Sequence, residues 1–128
     1  MKRLLDTHAF LWADGEPAKL SATAKAACED PAHVLLLSVV SVWEMQLKII
    51  LGKLAVRAPL RQIIQDWIRQ SRLEILPLNL EHVLHLDSLP AHHKDPFDRL
   101  LIAQAQVEGC DIVSQDRAIS RYPVKIIW

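Results

Sequence analysis

In the stretch Val34-Leu35-Leu36-Leu37-Ser38-Val39-Val40-Ser41-Val42-Trp43-Glu44-Met45 an apolar run stops at Ser38 and a helical pattern begins at once. Apolar residues in a row, without alternation, suit a strand buried on both faces of a parallel sheet. The residues from Val39 to Leu51 read as a helix, and Gly52 closes it. The same pairing recurs along the chain. Leu4-Leu5 ends at Asp6, Ile112-Val113 ends near Ser114, and Val124-Lys125-Ile126-Ile127 comes last. Between these runs lie further helical patterns. Ser21 to Glu29 has Ser21 as its N-cap. Leu60, Ile63, Ile64, Trp67 and Ile68 form an amphipathic stripe after Pro59. Leu80 to Leu86 and Pro96 to Glu108 complete the set, the second with Asp95 as cap and Gly109 past its end. Strands alternating with helices predict an α/β fold: one domain, residues 1–128, with a mostly parallel sheet of four or five strands and helices on both faces.

Composition agrees with a folded domain of that size. The chain has 128 residues, 51% of them hydrophobic, enough for a sizeable core but not for two domains. Lys plus Arg and Asp plus Glu each number 15, so the chain is not a basic nucleic-acid binder overall. It can still grip a few phosphates locally. Cys28 and Cys110 make neither a CxxC motif nor a disulfide framework, which predicts a reducing cytoplasm. Asp6 falls too early for a signal-peptide apolar region. The apolar stretches are too short to span a bilayer, so no membrane is expected.

In open α/β sheets ligands bind beyond the carboxyl ends of the strands. Four acids fall there in this pattern: Asp6 after the first strand, Glu44 in the helix after the second, Asp98 in the first turn of its helix, and Asp116 after Asp111 to Ser114. Each has an ordinary structural explanation. Asp6 and Asp116 can cap helical turns. Glu44 and Lys48 have the i, i+4 order of a surface ion pair. Asp98 complements a helix dipole. Together they are harder to explain this way. Glu44 and Asp98 sit in almost wholly apolar stretches, where a bare carboxylate costs several kcal/mol unless paired or metal-bound. Converging acids repel and raise one another's pKa values. A hard divalent cation removes that penalty, and an oxygen-only set suits Mg²⁺ or Mn²⁺.

Taken in order, these segments resemble the PIN-domain family, in particular the VapC-type toxins of toxin–antitoxin pairs. Leu4-Leu5-Asp6-Thr7-His8 is similar to the first acidic motif, and Ser38 to Glu44 to the second. His93-Lys94-Asp95-Pro96-Phe97-Asp98-Arg99-Leu100-Leu101-Ile102-Ala103-Gln104-Ala105 is the strongest match. Ile112-Val113-Ser114-Gln115-Asp116 is similar to the fourth, with its hydroxyl residue two before the acid. The resemblance implies a PIN-like domain and a metal-dependent endoribonuclease. Asp6, Glu44, Asp98 and Asp116 would be the catalytic metal ligands, supported by Thr7 and Ser114. Asp95, three residues before Asp98, is a supporting residue that helix-cap duty explains well, with direct metal contact as the less favoured alternative. The implied reaction is hydrolysis of an RNA phosphodiester to a 5′-phosphate and a 3′-hydroxyl. The implied partners are a cognate antitoxin and a second copy of the toxin.

Other residues carry weaker signals. Arg99, Arg117, Arg121 and Lys94 could contact RNA phosphates, Arg99 and Arg117 being singled out for their place beside Asp98 and Asp116. His82 with His85, and His92 with His93, invite a zinc reading, but zinc needs three or four converging ligands, so solvent-facing or loop histidines are expected. His8 could touch substrate or simply fill a loop or core position. Trp12, Trp43 and Trp67 could stack bases; packing is the preferred reading. Among rival functions, a receiver-like signalling domain wants two adjacent acids after strand one, and an aspartate-nucleophile phosphatase wants Asp-x-Asp. Position 7 is Thr and position 8 is His. A degenerate PIN domain that binds RNA or protein without cutting stays open as the alternative.

Overall fold

The computed structural model describes residues 1–91 and 95–128. Five strands form one sheet: β1 (Lys2–Leu5), β2 (Val34–Ser38), β3 (Glu74–Leu76), β4 (Asp111–Val113) and β5 (Ile126–Ile127). Their order across the sheet is β3-β2-β1-β4-β5, and all four pairings are parallel. The helices are α1 (Thr7–Gly15), α2 (Ala22–Glu29), α3 (Val39–Ile50), α4 (Leu60–Ser71), α5 (Leu80–Leu84) and α6 (Pro96–Glu108).

The apolar runs explain the layering. Side chains alternate across a strand. Leu4, Leu36 and Ile112 therefore share one face, where they pack with Leu101, Ile102 and Ala105 of α6. Leu5, Leu35, Leu37 and Val113 share the other, where they meet Ala9 and Phe10 of α1, Ala24 of α2 and Ile63 of α4. α3 straddles the two cores, with Val40 in the first and Met45 in the second. Both faces are covered, as continuous apolar strands demand.

Local signals end the helices where expected. The Ser21 hydroxyl accepts the Ala24 N–H at 3.0 Å, capping α2. Gly109 ends α6 at φ 67°, a left-handed position that glycine occupies without a Cβ penalty.

The topology makes the site. The chain moves outward from β1 through β2 to β3, then crosses back to β4 on the other side of β1. The segments leaving β1 and β4 diverge, and that switch point is where open α/β sheets leave a crevice.

Four expectations need correction. The strand pattern marked only four runs and passed over β3, a three-residue edge strand led by an exposed Glu74. The last strand starts later than Val124, because the Val124 N–H turns back to the Tyr122 carbonyl at 2.7 Å. The helix at Leu80 ends at Leu84, and His85–Ser88 tightens into a 3₁₀ turn. His82 is also not solvent-facing. It is fully buried, its Nδ1 accepting the Asn79 N–H at 3.1 Å in a capping box and its Nε2 facing Glu108 of α6 at 3.1 Å. Among the described residues, no helix is long and apolar enough to cross a membrane.

Candidate active site

Asp6 stands immediately beyond β1 and caps α1. Its Oδ1 accepts the Ala9 N–H at 2.7 Å, and its own N–H donates to the Val113 carbonyl at 3.1 Å. The end of β1 is thus tied to the end of β4. Ser114, fully buried just after β4, bonds through its side chain to the Asp6 carboxyl and accepts the Asp116 N–H at 3.0 Å. Asp116 in turn accepts the Ala118 N–H at 2.9 Å, shaping the turn that follows.

This placement has an electrostatic consequence. Burial pushes the Asp6 carboxyl above its ordinary 3.8. The hydrogen bonds from Ser114 and Ala9 and the nearby His8 pull it down, and the Asp116 charge pushes it up again. Desolvation and a like charge both disfavour the ionised form. Asp6 is held in place by protein donors, yet its charge is not balanced.

Glu44 approaches from α3. It is 5% exposed, and both its oxygens are taken. Thr7, the residue after Asp6, donates its hydroxyl to Glu44 Oε1 at 2.7 Å. The Ser41 hydroxyl, one turn before Glu44, lies 3.0 Å from the same Thr7 oxygen. Lys48 Nζ meets Glu44 Oε2 at 2.7 Å. Thr7 therefore joins the start of α1 to the middle of α3.

The start of α6 lies alongside. The Phe97 ring meets the Trp43 ring edge-on, with centroids 4.9 Å apart, so the residues next to Asp98 and Glu44 are in contact. Asp98 is half-buried in the first turn of α6. Asp95 Oδ1 accepts the Phe97 N–H at 2.8 Å and the Asp98 N–H at 3.4 Å, which is full capping duty.

The donor chemistry of Asp6, Glu44, Asp98 and Asp116 is all oxygen, which fits a hard divalent cation. The unbalanced charge at Asp6 is the kind a cation relieves. As the side chains stand, among the described residues no three His, Cys, Asp or Glu groups are arranged to enclose an ion. Oxygens of three of them are engaged by protein groups: Asp6 by the Ala9 N–H, Glu44 by Thr7 and Lys48, and Asp116 by the Ala118 N–H.

The sequence pattern that defines the PIN domain matches residues 3–125. The chain belongs to the PIN-domain family. Solved structures with the same fold agree along the whole PIN domain. A chain of VapBC2 from Rickettsia felis, bound to a DNA fragment from their promoter, superposes with a TM-score of 0.74 at 16% identity, covering 98% of this chain and 97% of that one. A chain of DNA-bound VapBC from Salmonella typhimurium gives 0.63 at 20% identity, covering 98% and 96%. A chain of FitAcB from Neisseria gonorrhoeae gives 0.61 at 17% identity, covering 97% and 95%. No curated protein matches the chain in sequence.

The basic residues of this PIN domain divide. The Arg99 guanidinium donates to the Pro90 carbonyl at 2.9 Å and lies 3.4 Å from that of Leu86, so it braces the 86–90 segment. Arg117 is exposed, next to Asp116. Lys94, with His92 and His93, lies outside the described residues. Trp43 was expected to be packed, but is 53% exposed beyond its contact with Phe97. Sequence reasoning missed Ser41. Its i−3 spacing from Glu44 was the available signal, since residues three apart share a helix face.

Proposed function

We propose that this PIN domain is a divalent-metal-dependent endoribonuclease and the toxin of a VapBC-type pair. The reading rests on one arrangement above all. Asp6 and Asp116 follow the two strands at the switch point, and Thr7 ties Glu44 to the same spot. Asp6, Glu44, Asp98 and Asp116 would hold Mg²⁺ or Mn²⁺. When bound, such an ion lowers the pKa of a water and offsets charge on the phosphodiester oxygens.

The chain's own groups do the rest. Ser114 and the Ala9 N–H fix the Asp6 carboxylate in one orientation, which preorganises the site before substrate arrives. Thr7 does the same for Glu44. Arg117, exposed beside Asp116, is better placed than Arg99 to meet an RNA phosphate. No carboxylate needs to act as a nucleophile.

The three neighbouring structures, named as VapBC and FitAcB, support an antitoxin partner by likeness of fold. The same reading gives a homodimer and a cytoplasmic setting, consistent with two free cysteines. Trp43, Ile50 and Leu51 in and just after α3, and Leu80 and Leu84 on α5, leave large apolar side chains exposed. Such surfaces are typical of protein contacts.

The test is cleavage of transfer, ribosomal and messenger RNAs by the purified protein in Mg²⁺ or Mn²⁺. Cutting should stop in EDTA and in Asp98→Asn, with the fold intact by circular dichroism. Equal cutting by parent and variant would disprove the site; absence of cutting on every RNA would favour a binding module.

A further inference from the structure

Glu44 presents an inconsistency that the proposed function does not resolve. Its carboxylate is 6% exposed, and Lys48 Nζ sits 2.7 Å from Oε2. Thr7 holds Oε1. A divalent ion that takes Glu44 as a ligand must compete with an ammonium already in place. The two partners differ in freedom. Glu44 is locked by burial and by Thr7, whereas the Lys48 side chain is 40% exposed on a flexible stem. A lysine of that kind can swing its head into water at little cost. The Glu44 carboxylate cannot follow it, and leaving it bare in the protein interior is expensive.

We propose that Lys48 is the resident counter-ion of Glu44 in the metal-free protein, and that a divalent cation binds by displacing its ammonium. The proposal rests on the metal-site reading above. Lys48 is then a positioning residue with two consequences. It keeps the metal-free fold tolerable by pairing with the Glu44 carboxylate and holding it in place. It also weakens metal affinity, since the incoming ion must break the pair and then sit near a displaced like charge. The one lysine stabilises the empty site at the expense of metal affinity, so the site fills only when free cation is abundant.

The experiment is calorimetric titration of the metal-stripped full chain with Mn²⁺, for the parent, Lys48→Met, Lys48→Gln, Lys48→Arg and Asp6→Asn. Lys48→Met should bind Mn²⁺ roughly tenfold more tightly than the parent. Lys48→Gln, which keeps a donor for Glu44 without the charge, should also bind more tightly and guards against a folding defect. Lys48→Arg should restore parent-like affinity. In EDTA the melting temperature of Lys48→Met should fall, and Mn²⁺ should raise it by more than it raises the parent's. If the parent binds Mn²⁺, Asp6→Asn does not, and both neutral Lys48 variants bind no more tightly than the parent, the Lys48 proposal alone fails. If the parent binds no Mn²⁺, the metal-site reading fails and the proposal with it.

Discussion

Two aspartates with largely covered side chains stand at the ends of one helix, and they are treated in opposite ways. Asp14, in the last turn of α1, is saturated with fixed donors. Arg57 Nε lies 3.1 Å from each of its oxygens, an Arg57 terminal nitrogen is 3.0 Å from Oδ1, and the Trp67 indole N–H donates to Oδ1 at 3.0 Å. Asp6, at the start of the same helix, has backbone and hydroxyl donors and the nearby His8 but, among the described residues, no arginine fork, and Asp116 adds a like charge. A carboxylate whose charge is matched by an arginine fork is a fastener: Asp14 ties α1 to the loop before α4 and to α4 itself. A carboxylate that is positioned but not balanced carries a standing cost. Such a cost persists where function requires it.

The largest effect expected from this contrast comes from Asp6→Asn. Asparagine is as good an N-cap as aspartate and keeps an acceptor for Ala9. The charge is lost. Cleavage of RNA should fall by about 10²-fold or more, the usual scale for removing one electrostatic contributor to a transition state. Stability should move the other way. Because the folded carboxyl titrates above its ordinary 3.8, the folded state favours the protonated form, and stability drains away as pH rises through the folded value. Asparagine removes that loss. In EDTA at pH 7 the variant should melt at or above the parent's temperature, and the advantage should vanish on acidification below 3.8. A variant that melts well below the parent at pH 7 would place Asp6 with Asp14 as a fastener.

Asp14→Ala should give the next largest effect, on stability alone. It strands the part-buried Trp67 N–H and leaves Arg57 with Asp66 as its carboxylate partner, and an unsatisfied donor shielded from water costs about 1–3 kcal/mol. Urea unfolding should register that loss, while the folded fraction cuts RNA at the parent's rate. Loss of cutting in step with Asp6→Asn would show that the two ends of α1 are not separate in function.

Much of this contrast was legible in the sequence at one end of α1 and almost none at the other. Leu4-Leu5 running into Asp6 is a local signal, because a buried strand and its cap are neighbours in the chain. The same holds for Ile112-Val113 before Ser114 and Asp116. Asp14 and Arg57 are 43 residues apart, and nothing in either segment announces the other. β3 was missed because three residues at a sheet edge leave too short a run to carry a period. His82 was misjudged because its burial depends on α6 covering α5. Glu44 shows the limit from the other side. The i, i+4 spacing with Lys48 was read as one alternative and a cation site as the other, whereas the structure holds the ion pair inside the site.

Cys28 offers the smallest effect and the most direct check on the cause assigned to Asp6. It too is an acid taken out of water without a matching fixed partner. Burial pushes its thiol up to about 11, the Glu29 charge adds to the rise, and Arg3 opposes it. A thiolate is the reactive form, so at pH 8 its alkylation should run roughly 100-fold slower than that of a thiol at the ordinary 9.0. Mass-spectrometric mapping after iodoacetamide treatment separates Cys28 from the buried Cys110. The rate at Cys28 should keep climbing through pH 10 and level off only beyond about 11. Levelling near 9 would mean that water reaches Cys28 and that burial is the wrong cause there. The same argument at Asp6, where burial also ranks first, would then need the Asp116 charge to carry more of the rise, and Asp116→Asn would have to lower the Asp6 value by itself.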